Sequence, residues 1–244
     1  MLPYERQEQL LALLKSNKSA TVTQLARTLY VSEASVRRDI ERLESRGLVR
    51  RVYGGVMLAD AASPVPVELR DGAHSAAKEA IARRAAALVK DGDVVILDAS
   101  STVRRMVPHL AGRRNVTLIT NNLRLFSEPP AGLRLYGTGG IFLPEDHAFA
   151  GPAAEAFLDN VRADLVFFSS QGLSSDGEIS DASEVQTALR RVMLRRAERK
   201  YFLCDASKFG VQRLFTLCHR DALTDILSDA PLPWEVAENF AEKT

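Results

Sequence analysis

The 244-residue chain is poor in cysteine, with only Cys204 and Cys218, fourteen positions apart in apolar runs. That spacing makes neither a metal knuckle nor a disulfide framework, so two buried thiols in a reducing cytoplasm are expected. The four histidines, His74, His109, His147 and His219, have no ligand spacing, and no metal site is expected. No apolar run is long enough to cross a bilayer. The N-terminus lacks the basic, apolar and small-residue order of a secretion signal. There is no internal repeat. No strong nucleophile–base pair stands out, so neither catalytic residues nor a cofactor are expected.

What is present begins with charge. The net charge is only +1, but residues 1–58 hold ten lysines and arginines against six acids, a net +4 on a remainder of −3. A basic end on a mildly acidic body suits a nucleic-acid module joined to something else. Within that end, Ser32 is placed to cap a helix along which Val36, Ile40 and Leu43 make an apolar stripe. Ser35, Arg38 and Arg42 share another face beside Arg37, and Gly47 is placed to stop the helix. Before it, Thr21 and Gln24 form a capping box at the start of a helix over Val22–Leu29, with Leu25 and Leu29 inward. An earlier helix, about Tyr4–Lys15, turns Leu10, Leu11 and Leu14 inward. After Gly47, Leu48–Tyr53 reads as a strand, Gly54-Gly55 as a turn and Val56–Leu58 as its return. This is a winged helix-turn-helix. Ser32, Ser35, Arg37, Arg38 and Arg42 are placed for base edges and phosphates, and Arg50 and Arg51 for phosphates. The bland alternative is a small helical bundle with solvated arginines.

Residues Ala59–Arg70, with Pro64 and Pro66, read as a linker in which helix and sheet are disfavoured. Then Ala77, Ile81, Ala85 and Leu88 mark a helix ending near Asp91-Gly92. Strands are predicted at Val94–Leu97, Val116–Ile119, Leu133–Tyr136, Leu165–Phe168, Tyr201–Cys204 and Asp225–Leu227. Helices are predicted after Thr102, after Pro152, and over about Glu184–Glu198. The last would bury Val185, Leu189, Val192 and Met193, with Arg190, Arg191, Arg195 and Arg196 largely outward. Such alternation argues for a mainly parallel sheet covered by helices.

Five of these strands run into small polar residues: Asp98–Thr102, Thr120–Asn122, Gly137–Gly140, Ser169–Gly172 and Asp205–Lys208. In open α/β sheets, ligands bind outside the carboxyl ends of the strands. Ser100, Ser101 and Thr102 open a helix there and suit a phosphate, with Lys208 as a point charge. Asp98, Asn121, Gln171, Glu184 and Asp205 suit sugar hydroxyls. Each has a plainer reading: Ser-Ser-Thr as a cap, Gly139-Gly140 as a turn, Lys208 as a solvated lysine and Asp205 as a cap. The case for a phosphorylated polyol rests on their convergence at one edge.

The chain resembles the DeoR family of transcriptional regulators over nearly its full length. The similar residues are Arg6, Leu10 and Leu14, then Ser32, Ser35–Ile40 and Gly54-Gly55. Further on they are Lys78, Ile81-Ala82, Asp98–Thr102, Thr120-Asn121, Gly139-Gly140, Gly151, Gly172 and Asp205-x-Ser207–Gly210. Ser35 stands where the family usually has threonine, Ala99 and Ser169 where it has glycine, and Arg190 where it has lysine. The resemblance implies a repressor of sugar-catabolism genes, dimeric or tetrameric. It also implies a C-terminal domain similar to ribose-5-phosphate isomerase that senses a sugar phosphate.

The expectation is thus a multidomain α/β protein. A winged helix-turn-helix (1–58) and a linker (59–73) precede a Rossmann-like, ribose-5-phosphate-isomerase-like effector domain (74–244). The effector residues expected are Asp98, Ser100, Ser101, Thr102, Asn121, Gly139, Gly140, Gln171, Gly172, Glu184, Asp205 and Lys208. The partners expected are a double-stranded DNA operator, a sugar phosphate and a second copy or more of the chain, with no membrane. Two rivals stand beside it: an isomerase-like or hydrolytic enzyme carrying a DNA-binding arm, and an architectural DNA-binding protein without a ligand.

Overall fold

A computed structural model describes residues 2–17, 19–45, 48–52, 55–58, 67–72 and 74–235. The chain divides into two compact units, Met1–Ala73 and His74–Thr244.

The first unit runs α1 (Pro3–Asn17), β1 (Ser19–Ala20), α2 (Val22–Thr28), α3 (Glu33–Ser45), β2 (Val49–Val52), β3 (Gly55–Leu58) and α4 (Val67–Gly72). Leu10 and Leu14 of α1, Leu25 of α2, and Val36, Ile40 and Leu43 of α3 meet in one core with Val49 and Val56. Leu11 only packs against its side. The capping box forms: the Thr21 hydroxyl accepts from Gln24 N–H at 3.0 Å, and Gln24 Oε1 accepts from Thr21 N–H at 2.8 Å. Ser32 caps α3, its hydroxyl accepting from Ser35 N–H at 3.3 Å. The wing is an antiparallel pair from Val49↔Leu58 to Val52↔Gly55. The two residues of β1 add a third strand beside β3, which the sequence pattern did not foretell. Gly47, Tyr53 and Gly54, expected as helix stop and wing turn, lie outside the described residues, as do 59–66 and 73 of the expected linker. The described end of that linker is not extended but helical, as α4. Proline is tolerated just ahead of a first helical turn, and Val67–Asp71 contains no breaker.

The second unit opens with α5 (Ser75–Ala87), β4 (Val94–Leu97), α6 (Ser101–Arg104), β5 (Thr117–Thr120), α7 (Arg124–Ser127) and β6 (Arg134–Gly137). It continues through β7 (Ile141–Leu143), β8 (Ala148–Ala150), α8 (Pro152–Asp159), β9 (Ala163–Phe168), β10 (Gly172–Leu173) and β11 (Glu178–Asp181). It closes with α9 (Glu184–Arg196), β12 (Ala197–Cys204), β13 (Phe215–His219) and β14 (Asp225–Ser228). Six strands form one parallel sheet in the order β14-β12-β9-β4-β5-β6. Taken in chain order, this is the doubly wound arrangement, and its direction reverses between β4 and β9. Alternate residues of each strand serve opposite faces. Val95, Leu97, Leu118, Leu165 and Phe167 pack with Ile81 and Ala85 of α5. Ile96, Ile119, Val166, Phe168 and Phe202 pack with Leu158 of α8 and with Leu189 and Met193 of α9.

Several sequence expectations need correction. α5 stops at Ala87, short of Asp91-Gly92. α9 passes straight into β12, which therefore begins at Ala197 and not Tyr201. Val185 is 43 % exposed while Arg190 is only 4 % exposed. Leu189, Val192 and Met193 are buried as expected, but Gln186 and Arg190 join them in place of Val185, because Arg190 finds carboxylates inside. Arg191 and Arg195 do face out, and half-buried Arg196 donates to Val161 O at 2.8 Å. Cys204 is buried but Cys218 only half-buried, and both thiols are free. Burial pushes the Cys218 thiol up to about 12. The β7–β8 hairpin and the small antiparallel sheet β10-β11-β13 were not anticipated. Strands this short, such as the mostly polar Glu178–Asp181, carry no readable alternation.

Candidate DNA interface and effector site

α3 presents the expected face. Ser32, Arg37, Arg38 and Arg42 are exposed and Ser35 is half-buried, the Ser32 and Ser35 hydroxyls lying 3.0 Å apart. Among the described residues no ion-pair partner holds Arg38 or Arg42. Arg37 is paired with Glu33 at 3.1 Å. The Thr23 hydroxyl, donating to Glu33 at 2.7 Å, and then Arg37 hold that carboxyl below its usual range. Arg51 reaches back from the wing to Glu41 at 3.1 Å and Glu44 at 3.0 Å, so the helix's own acids occupy it. Arg50 is half-buried. A groove of about 310 Å³ separates Thr21–Thr23 of α2 and Arg37 of α3 from Arg51 and Gly55 of the wing. Below the exposed face, buried Asp39 accepts from Arg6 Nε and, at 3.2 Å, from Gln7 Nε2. That bond raises the Arg6 pKa, and it fixes the roll of α3 against α1.

The carboxyl edge of the parallel sheet carries the second cluster. Asp205, Ser169, Asp98 and Asn121 follow β12, β9, β4 and β5, neighbours in the sheet, and all four are buried. Neighbouring strands lie about 4.8 Å apart, so these residues form a short polar row. Asp98 stands at the reversal point. Its Oδ1 accepts from Ser100 N–H at 3.0 Å, and its Oδ2 from Ser169 N–H at 3.3 Å and Arg190 Nε at 2.8 Å. Arg190 also donates to Asp181 Oδ2 at 3.0 Å. Burial opposes the guanidinium's charge, but Asp181 and Asp98 outweigh it and its pKa is raised. Asp98 is thus the knot that joins two strand-end loops. Ser100 caps α6, accepting from Val103 N–H at 3.2 Å. Ser101 and Thr102 are buried, and Ser101 Oγ accepts from Lys78 Nζ at 3.2 Å. Asn121 Nδ2 donates to Phe149 O at 2.9 Å, while its buried Oδ1 has no partner among the described residues. Asp205 caps the turn that carries Lys208, accepting from Ser207, and stands 3.9 Å from His74 Nε2. Lys208 is half-buried.

Other expected residues do not join this cluster by contact. Glu184 is exposed on the first turn of α9. Gln171 is half-buried. Gly139 and Gly140 are exposed with φ of +63° and +113°, and a Cβ at Gly140 would meet Ala150 O at 2.5 Å. Gly172 is explained by packing, since a Cβ there would meet Val211 O at 2.3 Å.

The DeoR-like helix-turn-helix domain model matches residues 6–62, and the DeoR C terminal sensor domain model matches 73–230. The chain belongs to the DeoR family. This DeoR-family chain is 32 % identical to the HTH-type transcriptional regulator GolR of Listeria innocua, over 99 % of itself and 96 % of GolR. It is 30 % identical to the transcriptional repressor AccR of Agrobacterium fabrum, over 93 % and 89 % of the two chains. It is also 30 % identical to the L-fucose operon activator of Escherichia coli, over 92 % and 94 %. Among solved structures, ribose 5-phosphate isomerase A of Methanocaldococcus jannaschii matches at a TM-score of 0.40 and 19 % identity, over 54 % of this chain. The chain spans about half of that structure, 53 %. A DeoR helix-turn-helix joined to a sensor domain implies duplex DNA and a small-molecule effector as partners.

Two charged residues at this edge of the DeoR-family chain lie outside the expected effector set, Lys78 and Arg190. Lys78 is 4 % exposed and sits on the stripe of α5 that also holds Ile81, Ala82 and Ala85. A lysine on an apolar stripe was the available signal. Arg190, expected to face outward, falls one turn after Gln186 and beside Leu189, on the buried side of α9. The histidines are dispersed: His109 pairs with Glu79 at 2.6 Å and His219 with Asp221 at 2.9 Å. Among the described residues no group of acids, histidines and cysteines could hold a metal ion, and no helix is long and apolar enough to cross a membrane.

Proposed function

We propose that the protein is a repressor of sugar-catabolism genes, controlled by a phosphorylated sugar or polyol at the carboxyl edge of its parallel sheet. The observation that carries the effector reading is the row Asp205, Ser169, Asp98 and Asn121 at the point where the doubly wound sheet reverses. Asp98 acts there through Arg190 and the loop N–H groups, holding the site's shape. Lys78 and Lys208 supply charge for a phosphate, and Ser101, Thr102 and Asn121 supply polar groups for hydroxyls. Gly139 and Gly140 let the chain turn close to α8. Repression follows the printed names of two relatives, AccR and the putative aga operon transcriptional repressor of Escherichia coli. In this reading residues 1–58 serve DNA, 59–73 the connection and 74–244 sensing.

On DNA, Ser32, Ser35, Arg38 and Arg42 face base edges, while Arg37, Arg50 and Arg51 face phosphates. Two copies of the chain set their α3 helices about 34 Å apart, on successive major-groove faces. The effector changes DNA affinity only as far as it favours one arrangement of those copies. The test is a thermal-shift screen of the full chain against phosphorylated sugars and polyols, followed by duplex binding with and without each hit. A hit that raises the melting temperature and changes duplex affinity supports the reading. A screen without any stabilising compound sinks the effector, and chemical turnover of a hit makes the protein an enzyme.

A further inference from the structure

The turn between α2 and α3 closes as a Schellman motif. Val31 N–H donates to Ala26 O at 3.0 Å and Tyr30 N–H to Arg27 O at 3.3 Å, the two bonds that define it. The residue at its left-handed position is Tyr30, with φ of +54°. Glycine is the usual occupant there, with asparagine next, because a Cβ crowds the backbone at positive φ. A bulky residue is an outlier.

Among the described residues of the unit, nothing offsets that strain. Tyr30 is 95 % exposed, so its ring is not packed. Among the described residues its hydroxyl makes no hydrogen bond. Strain kept without local compensation points outward, to a partner. The position says which partner. Tyr30 stands two residues before Ser32, the cap of α3, and shares a surface depression with Thr23, Arg27 and Ser32. Arg27 and Arg38 are exposed on either side of it in sequence and draw a polyanion to this end of the unit.

We infer that Tyr30 is a DNA contact whose hydroxyl donates to a backbone phosphate beside the groove that α3 enters, a role that rests on the DNA-binding reading of α3. Tyrosine hydroxyls are among the groups that hold phosphate and set register without reading sequence. Being neutral, the group releases no counterion.

The experiment uses the full chain and duplexes that the wild-type chain enriches from a random library. Tyr30→Gly and Tyr30→Asn remove the strain together with the ring, and Tyr30→Phe removes only the hydroxyl. Melting temperature is read beside duplex affinity by fluorescence anisotropy at several salt concentrations. The expected result is that Tyr30→Gly melts no lower than wild type yet binds about tenfold more weakly. Tyr30→Phe loses a similar factor, uniformly across duplexes and with the salt slope unchanged. Affinities within about twofold of wild type for both variants overturn the assignment, as does a loss of binding in Tyr30→Gly that comes with a lower melting temperature. A wild-type chain that enriches no duplex fails earlier, and takes the DNA-binding reading of α3 down with it.

Discussion

Arg190 shows what one side chain decides in this protein. Its Nε and one terminal nitrogen hold Asp98 and Asp181 across the interior of the sensor unit, and all three side chains are at most 5 % exposed. Removing one partner of such a buried set leaves the others charged and unpaired, which costs about 3–5 kcal/mol. Arg190→Met is therefore expected to destabilise the sensor unit by that amount in urea unfolding. Arg190→Lys keeps a charge but loses the fork that reaches both carboxylates. Its loss should be smaller, and equal losses would show that geometry and not charge holds the site together. Asp98 was readable from sequence as a strand-end acid, but its role was not. No spacing rule pairs residue 98 with residue 190, because only the crossover of the sheet brings them together.

At the level of elements, legibility followed apolar patterning and the polar residues that bound it. The helices α2 and α3 were visible because caps and apolar stripes agree within each segment, and α1 was visible from its leucines alone. The strands of the parallel sheet were visible as short apolar runs bounded by polar ends. The pieces of two to five residues, β1, β7, β8, β10, β11 and β13, exist through tertiary pairing and left no local trace. Two outcomes test the visible elements. Thr21→Ala removes one half of a reciprocal cap and should lower the stability of the DNA-binding unit by about 1 kcal/mol, seen as an earlier melt. Glu44→Gln should act in the opposite sense on binding. It removes one of the two acids that hold Arg51, Glu44 at 3.0 Å, and leaves Glu41 at 3.1 Å, so the guanidinium is freer to turn toward phosphate. Non-specific duplex binding at low salt should strengthen, and the salt slope should steepen by up to about 1. An unchanged slope would mean that Arg51 serves only to tie the wing to α3.

The whole molecule is two units with separate cores: one around Leu10, Leu25 and Ile40, the others on the two faces of the parallel sheet. Each core is built from its own segment of chain, which is why the division between a basic end and an acidic body was visible in composition. A ligand that binds one unit stabilises that unit by mass action. At a hundredfold its dissociation constant the gain is about 2.7 kcal/mol. Calorimetry of the full chain should therefore show a phosphosugar moving the sensor transition and an enriched duplex moving the other. Control of one site by the other then has to appear as reciprocity. If the phosphosugar lowers duplex affinity by some factor, saturating duplex must lower phosphosugar affinity by the same factor, since both measure one coupling free energy. Titrating each ligand against the other gives both factors from equilibrium data alone. Equal factors other than one establish that the edge around Asp98 and the face around Arg38 communicate. Factors of one, with both ligands bound, leave a DNA-binding protein whose sensor does not regulate it.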